Sequence, residues 1–108
     1  MTKVRINPGV CGFITKVEAA SAGEDGQEVN LKVASGCEPV RKMFEELGNT
    51  FDSYEMCLTN PGKGPLFEYA SEKFPVHCGC PVLSGIIKAV EAECKLALPR
   101  DVSITFEE

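Results

Sequence analysis

The chain has 108 residues, of which 44% are hydrophobic, a length that suits one domain built around one core. Its formal net charge is -5, from sixteen acidic and eleven basic residues, and the sequence contains no basic run. Nucleic acids present phosphates to their partners and require a basic face, so this composition argues against a nucleic-acid-binding protein.

Alternating apolar and polar residues predict paired strands in the first third of the chain. Val4 to Ile6 suit a short N-terminal strand, which the turn sequence Asn7-Pro8-Gly9 ends. Residues 12–19 and 29–34 both alternate, and the segment 22–27 between them carries glycines and acids. We therefore expect these two strands to pair as an antiparallel hairpin.

Three segments with apolar residues at helical spacing follow the hairpin. The first begins near Pro39 and stops at Gly48, where a glycine suits the C-terminal end of a helix. The second covers Pro65 to Phe74, and the third and longest runs from about Pro81 to Leu96. Residues 50–58 are ambiguous between helix and strand.

A last alternating segment predicts a strand at the C-terminus. Val102, Ile104 and Phe106 alternate with polar residues after the helix breaker Pro99. The order of elements indicates one α+β domain over residues 1–108. We expect a mostly antiparallel sheet, made of the hairpin and the N- and C-terminal strands, with about three helices packed on one face. The strand order stays open.

The cysteines are the residues with the most evident chemical potential. The N-terminal segment has no long apolar stretch, so neither a signal peptide nor a membrane-spanning helix is expected, and we predict a cytoplasmic protein. Thiols stay reduced in that compartment, where clustered cysteines more often bind metal or act in redox chemistry than form disulfides. The six are Cys11, Cys37, Cys57, Cys78, Cys80 and Cys94.

Three of these cysteines lie at chain breaks that favour a reactive thiolate. Cys37 and Cys80 precede prolines that suit helix starts, where free backbone amides and the helix dipole stabilise a thiolate. Cys11 lies between two glycines in the loop before the first long strand. Because an antiparallel hairpin places residue 12 beside residue 34, we expect Cys11 to lie near Cys37.

These positions predict a metal site with Cys11, Cys37, Cys80 and Cys78 as ligands, and His77 or Cys57 as other candidates for completing it. Thiolate ligands suit both zinc and an iron–sulfur cluster, and the sequence does not choose between them. Neither paired C-x2-C knuckles nor a ferredoxin spacing is present. A protein that holds such a metal could transfer electrons or the metal itself to a partner protein.

Two other interpretations remain open. Cys78-Gly79-Cys80 is a candidate thiol–disulfide redox pair, because its place at a helix start lowers a thiol pKa. Cysteine is also among the most buried residue types, so the chain is alternatively an interaction domain with structural thiols. This structural role is expected above all for Cys57 and for Cys94, which lies on the apolar stripe of the longest helix.

The chain contains four segments, Asn7-Pro8-Gly9-Val10-Cys11-Gly12-Phe13, Ser35-Gly36-Cys37, residues 80–89 and residues 98–104, that resemble an uncharacterised family of small cysteine-containing proteins from anaerobic bacteria and archaea. The resemblance extends over nearly the whole chain and includes Cys11, Cys37 and Cys80. It implies no activity, although an anaerobic source would suit an oxygen-sensitive iron–sulfur site.

Overall fold

The structure, a computed structural model, describes residues 1–23, 25–73 and 78–108. Its sheet is antiparallel with the strand order β1-β2-β3-β4. The hairpin of β2 and β3 is in register from Thr15 opposite Ser35 to Ala22 opposite Glu28. The strands are β1 (Thr2–Ile6), β2 (Thr15–Ala22), β3 (Glu28–Ser35) and β4 (Thr50–Asp52).

Four helices within the described part of the chain accompany this sheet. The longest contacts β1 and β2, and the first contacts β3, so the core lies between these helices and one face of the sheet. The alternating apolar residues of the hairpin form this buried face of the sheet. Val17, Ala19, Val29 and Leu31 are buried, while their neighbours along each strand are more exposed. The helices are α1 (Glu38–Leu47), α2 (Ser53–Cys57), α3 (Pro65–Lys73) and α4 (Val82–Glu93).

The α+β class is confirmed, but the predicted C-terminal strand is wrong. The fourth strand is β4, at residues 50–52, and residues 98–108 form neither helix nor strand. Alternation in a sequence shows which side chains a sheet would bury, but not whether a neighbouring strand is available. The described residues contain four helices and not three, because the ambiguous segment 50–58 contains β4 and the short α2.

The direction of α4 determines where its N-terminus lies. A methyl group added at Gly85, in the first turn of α4, would lie 2.6 Å from Cδ1 of Ile6 at the end of β1. Glu93, at the other end of α4, accepts hydrogen bonds from the Thr2 hydroxyl and the Ser21 backbone N–H. Helix α4 therefore begins over the end of the sheet where Ile6, Thr15 and Ser35 lie side by side, here called the Ile6 end.

No helix among the described residues is long and apolar enough to cross a membrane.

Candidate metal centre

Cys11 lies on an exposed turn between β1 and β2, at the Ile6 end of the sheet. The Gly12 N–H donates to the Gly9 carbonyl at 3.0 Å, which closes the turn, and the Asn7 side chain accepts from the Gly9 N–H at 3.0 Å. Gly9 and Gly12 have φ values of 88° and 73°, which a residue with a Cβ rarely adopts. The glycines on this segment thus shape a turn that presents the thiol to solvent.

The same loop folds back against the segment that leads to Cys37. The ring of Phe13 packs on Gly36, where an added Cβ would lie 3.2 Å from Cδ1 of Phe13. The Gly36 N–H donates to the Ile14 carbonyl at 3.3 Å, one step beyond the β2–β3 pairing. Glycine at position 36 therefore allows the Cys11 loop to approach the residue directly before Cys37.

Cys37 is the N-cap residue of α1, and its side chain makes no capping hydrogen bond. Its backbone N–H donates to the Ser35 hydroxyl at 3.0 Å, and that hydroxyl is also 2.7 Å from the hydroxyl of Thr15. The thiol is half-buried against the core and not used in a disulfide. The backbone at Cys37 is therefore fixed, while its sulfur lies at the amide end of a ten-residue helix.

Arg41 is a neighbour of Cys37 that the sequence prediction missed. Its guanidinium donates to the Ser35 carbonyl at 2.9 Å, and its backbone N–H donates to the Cys37 carbonyl at 3.1 Å. These two hydrogen bonds place a positively charged side chain beside the start of α1. The available signal was the spacing, because a residue four positions after a helix N-cap lies one turn above it.

Cys78 and Cys80 precede α4. Cys78 is exposed in a turn, whereas Cys80 is half-buried, packs against the core and comes directly before the N-cap residue Pro81. The first turn of α4 carries no acidic residue to oppose the positive end of its dipole. The predicted start of the longest helix near Pro81 is thus confirmed, and with it the position of Cys80 at a helix start.

The fold brings the segments that carry the predicted ligands to one end of the sheet. Cys11 lies between β1 and β2, Cys37 follows β3, and Cys80 precedes the α4 turn that packs on Ile6. The candidate His77 lies outside the described residues. Across residues 1–23, 25–73 and 78–108, no set of three or more His, Cys, Asp or Glu side chains is arranged to hold a metal ion.

Cys57 and Cys94 belong to a different region of the molecule. The Cys57 sulfur lies 3.9 Å from the Ile87 carbonyl, in the middle of α4. Burial, followed by the nearby Glu91 and Cys94, raises the pKa of Cys57 to about 12. Cys94 is half-buried against the core at the C-terminal end of α4. A thiol that stays protonated is a poor metal ligand, so this environment favours a structural role for Cys57.

Comparison with known proteins gives a family but no activity. No curated protein and no solved structure shows a significant match to the chain. The family of unknown function DUF6951 matches residues 2–106, which is almost the full length. The chain therefore belongs to the DUF6951 family.

Proposed function

We propose that this chain is a small cytoplasmic metal-binding protein in which Cys11, Cys37, Cys78 and Cys80 hold an iron–sulfur cluster or zinc. The observation that carries the proposal is the arrival of three separate cysteine-bearing segments at the Ile6 end of the sheet. Thiolate sulfur is the ligand that both of these metal centres favour. All six cysteines are free thiols, so none of the four is consumed by a disulfide.

The four thiols differ in how firmly the fold holds them. Cys37 and Cys80 are half-buried against the core at the starts of α1 and α4, whereas Cys11 and Cys78 lie on exposed turns. In this proposal the two half-buried thiols form the fixed part of the site, and the exposed turns close over the metal. The free energy of metal binding supplies what is needed to order the turns, as it does in small metallo-domains generally.

An exposed site of this kind suits exchange with a protein partner. The turns that carry Cys11 and Cys78 face solvent, so a bound metal would lie close to the surface at the Ile6 end. Electron transfer and metal delivery both require a partner protein to come close to the metal, whereas a purely structural metal does not. The proposed role is therefore electron or metal transfer to a second protein, with anaerobic life as the setting for a cluster.

The decisive experiment measures iron, zinc and acid-labile sulfide per chain in protein purified without oxygen. We expect the parent to contain a stoichiometric amount of metal. A brown protein with acid-labile sulfide would indicate an iron–sulfur cluster, and a colourless protein without sulfide would indicate zinc. Single Cys→Ser changes at positions 11, 37, 78 and 80 should each lower the metal content. Cys94→Ala is the matched control and should retain it, because that thiol lies at the far end of α4. Metal-free parent protein would refute the proposal.

A second candidate function rests on the contrast between Cys78 and Cys80. An exposed thiol next to a half-buried one at a helix start suits thiol–disulfide exchange, in which the Cys78 thiolate attacks a substrate disulfide. Cys80 would then displace the reduced substrate, leaving a Cys78–Cys80 disulfide and two substrate thiols. A metal-free protein with a reversible two-electron couple, abolished by Cys80→Ser and unchanged by Cys11→Ser, would favour this function.

A further inference from the structure

The C-terminal segment 101–108 is strand-like in sequence and pairs with no strand among the described residues. Residues 97–108 are all exposed, and Val102, Ile104 and Phe106 are 68%, 83% and 98% exposed. These three apolar side chains alternate with Ser103 and Thr105, so an extended segment would place them all on one side. Apolar side chains at this density rarely remain in solvent without a partner surface.

Strand β1 offers an edge of matching length. It is the first strand in the order β1-β2-β3-β4, so one side of its backbone lacks a strand partner among the described residues. It has five residues, Thr2–Ile6, and the apolar tail segment from Val102 to Phe106 also has five. Val4 and Ile6 of β1 point to the helix side and pack with the core. A strand added here would extend that apolar face.

The charges of the two segments are complementary. Lys3 and Arg5 of β1 are exposed on the face away from the helices, and such edge charges discourage pairing with a neutral strand. The tail carries Asp101 and Glu107 on the side that would lie beside them. With the apolar residues of both strands on one face, each acid lies diagonally from one base, whether the strands pair parallel or antiparallel.

We propose that residues 101–107 of one chain pair with the β1 edge of a second copy, and that the exchange is reciprocal. The tail does not lie against its own sheet, because every residue from 97 onward is exposed. A two-fold exchange pairs both tails and both β1 edges and leaves neither site open for further addition. The interface combines backbone hydrogen bonds from strand addition with burial of the three apolar side chains.

Sedimentation velocity of the full chain under reducing conditions tests this interface. We expect the parent to be a dimer, whereas Ile104→Asp and a chain that ends at Arg100 should both be monomers. Thr105→Asp is the matched control, since it adds the same charge one residue away on the face of Lys3 and Arg5, and it should remain a dimer. Circular dichroism should show the same folded domain in all four proteins, because the tail contributes nothing to the core.

A second set of variants tests the charges. Lys3→Glu should weaken the dimer, and either Glu107→Lys or Asp101→Lys in that background should restore it. Which of the two restores the dimer shows whether the added strand is parallel or antiparallel to β1. A parent that is monomeric at all concentrations would overturn the inference, as would a dimer that survives removal of residues 101–108. A monomer whose tail amides are protected from hydrogen exchange would also overturn it, because the tail would then cover its own chain.

Discussion

The six thiols of this chain differ in chemical environment more than in sequence context. Cys11 and Cys78 are exposed on turns, whereas Cys37, Cys57, Cys80 and Cys94 are half-buried. Cys57 is further separated from the others by its burial and by Glu91, both of which disfavour its charged form. Reactivity toward electrophiles should follow these differences, because the thiolate is the reacting form.

The slowest thiol to be alkylated should be Cys57. A pKa of about 12, against an ordinary value of 9.0, lowers the thiolate fraction near neutral pH about a thousandfold. We expect Cys11 and Cys78 to be modified first by iodoacetamide in metal-free protein, with Cys57 modified last. Peptide mass spectrometry over a time course measures the order. Early modification of Cys57 in a folded chain would show that α4 does not shield this sulfur.

The local surroundings of individual cysteines are the part of the site that the sequence predicts best. A proline one or two residues after a cysteine predicted the helix starts near Cys37 and Cys80, because helix starts have recognisable local chemistry. The pKa of Cys57 was not predictable, since it depends on α4 residues thirty or more positions away. How closely the four proposed ligands approach one another is likewise a property of loop conformation, which spacing in the sequence does not determine.

At the level of elements, α4 is fixed to the sheet at both of its ends. Gly85 allows close approach to Ile6 at the N-terminal end. At the other end, Glu93 accepts from Thr2 and Ser21 at 2.8 and 2.9 Å and lies 3.5 Å from the N-terminal ammonium. Since Cys80 directly precedes the N-cap of α4, these two contacts also determine where that thiol lies.

Gly85→Ala should destabilise the protein even though alanine favours helix formation. The added methyl group would meet Cδ1 and Cγ1 of Ile6 at 2.6 and 2.7 Å. Overpacking of this kind costs about 1–3 kcal/mol, against about 1 kcal/mol gained from helix propensity. We expect a net loss of up to about 2 kcal/mol in urea unfolding.

The matched test of this contact is Ile6→Val, which removes Cδ1. It should cost less in the Gly85→Ala background than in the parent, because it relieves the overlap there and leaves a cavity otherwise. Additive losses in the double variant would mean that Ile6 simply moves aside and that the close approach does not fix the start of α4.

Glu93→Gln should lower stability in a pH-dependent way. The Ser21 N–H, the Thr2 hydroxyl and the N-terminal ammonium lower the pKa of Glu93 in the folded protein. Its carboxylate therefore contributes stability above the unfolded-state pKa near 4.5, and this contribution is lost as the pH falls through the lower folded value. At neutral pH we expect a loss of about 1–3 kcal/mol, the cost of weakened hydrogen bonds to a charged group.

The difference between parent and Glu93→Gln should shrink as unfolding is measured below pH 4.5. Glu72→Gln, on the exposed side of α3, is the control and should have little effect at any pH. A Glu93 effect that stays constant down to the most acidic conditions would show that packing, and not the charge, is what the substitution removes.

Elements of this fold were predictable in proportion to their length. The hairpin and α1, α3 and α4 carry several apolar residues at a clear spacing, and all were found within a few residues of their bounds. Strand β4 has three residues with only Phe51 buried, too few to show a period. The C-terminal segment has the alternating pattern of a strand but is not part of the sheet formed by β1 to β4. The alternating pattern alone does not reveal whether a segment joins a sheet.

For the whole molecule, the important feature is that both α1 and α4 begin at the Ile6 end of the sheet. The positive ends of two helix dipoles therefore lie at the end of the sheet where Cys11, Cys37 and Cys80 arrive. A metal bound to these thiols would join the β1–β2 loop, the end of β3 and the start of α4. Its binding energy would stabilise the entire fold and not only one loop.

Thermal unfolding with and without a strong chelator distinguishes this metal site from buried thiols. At a metal concentration 100 times the Kd, binding adds about 2.7 kcal/mol of stability. For a domain near 100 residues each kcal/mol changes Tm by about 4–8 °C, so the chelator should lower the Tm of the parent by about 10 °C or more. Cys94→Ala should respond to chelator as the parent does, because its thiol lies outside the proposed site.

Cys37→Ser should abolish the response to chelator. Serine keeps nearly the shape of the thiol but is a poor ligand for a thiophilic metal, so the variant should melt at one temperature in both conditions. When both proteins are metal-free, the unfolding free energies of parent and variant should differ by no more than about 1–3 kcal/mol, which is the cost of an imperfectly satisfied hydroxyl. If Cys37→Ser instead lowers the Tm equally with and without chelator, and neither protein contains metal, the half-buried Cys37 contributes through packing alone. The chain is then an interaction domain with structural thiols.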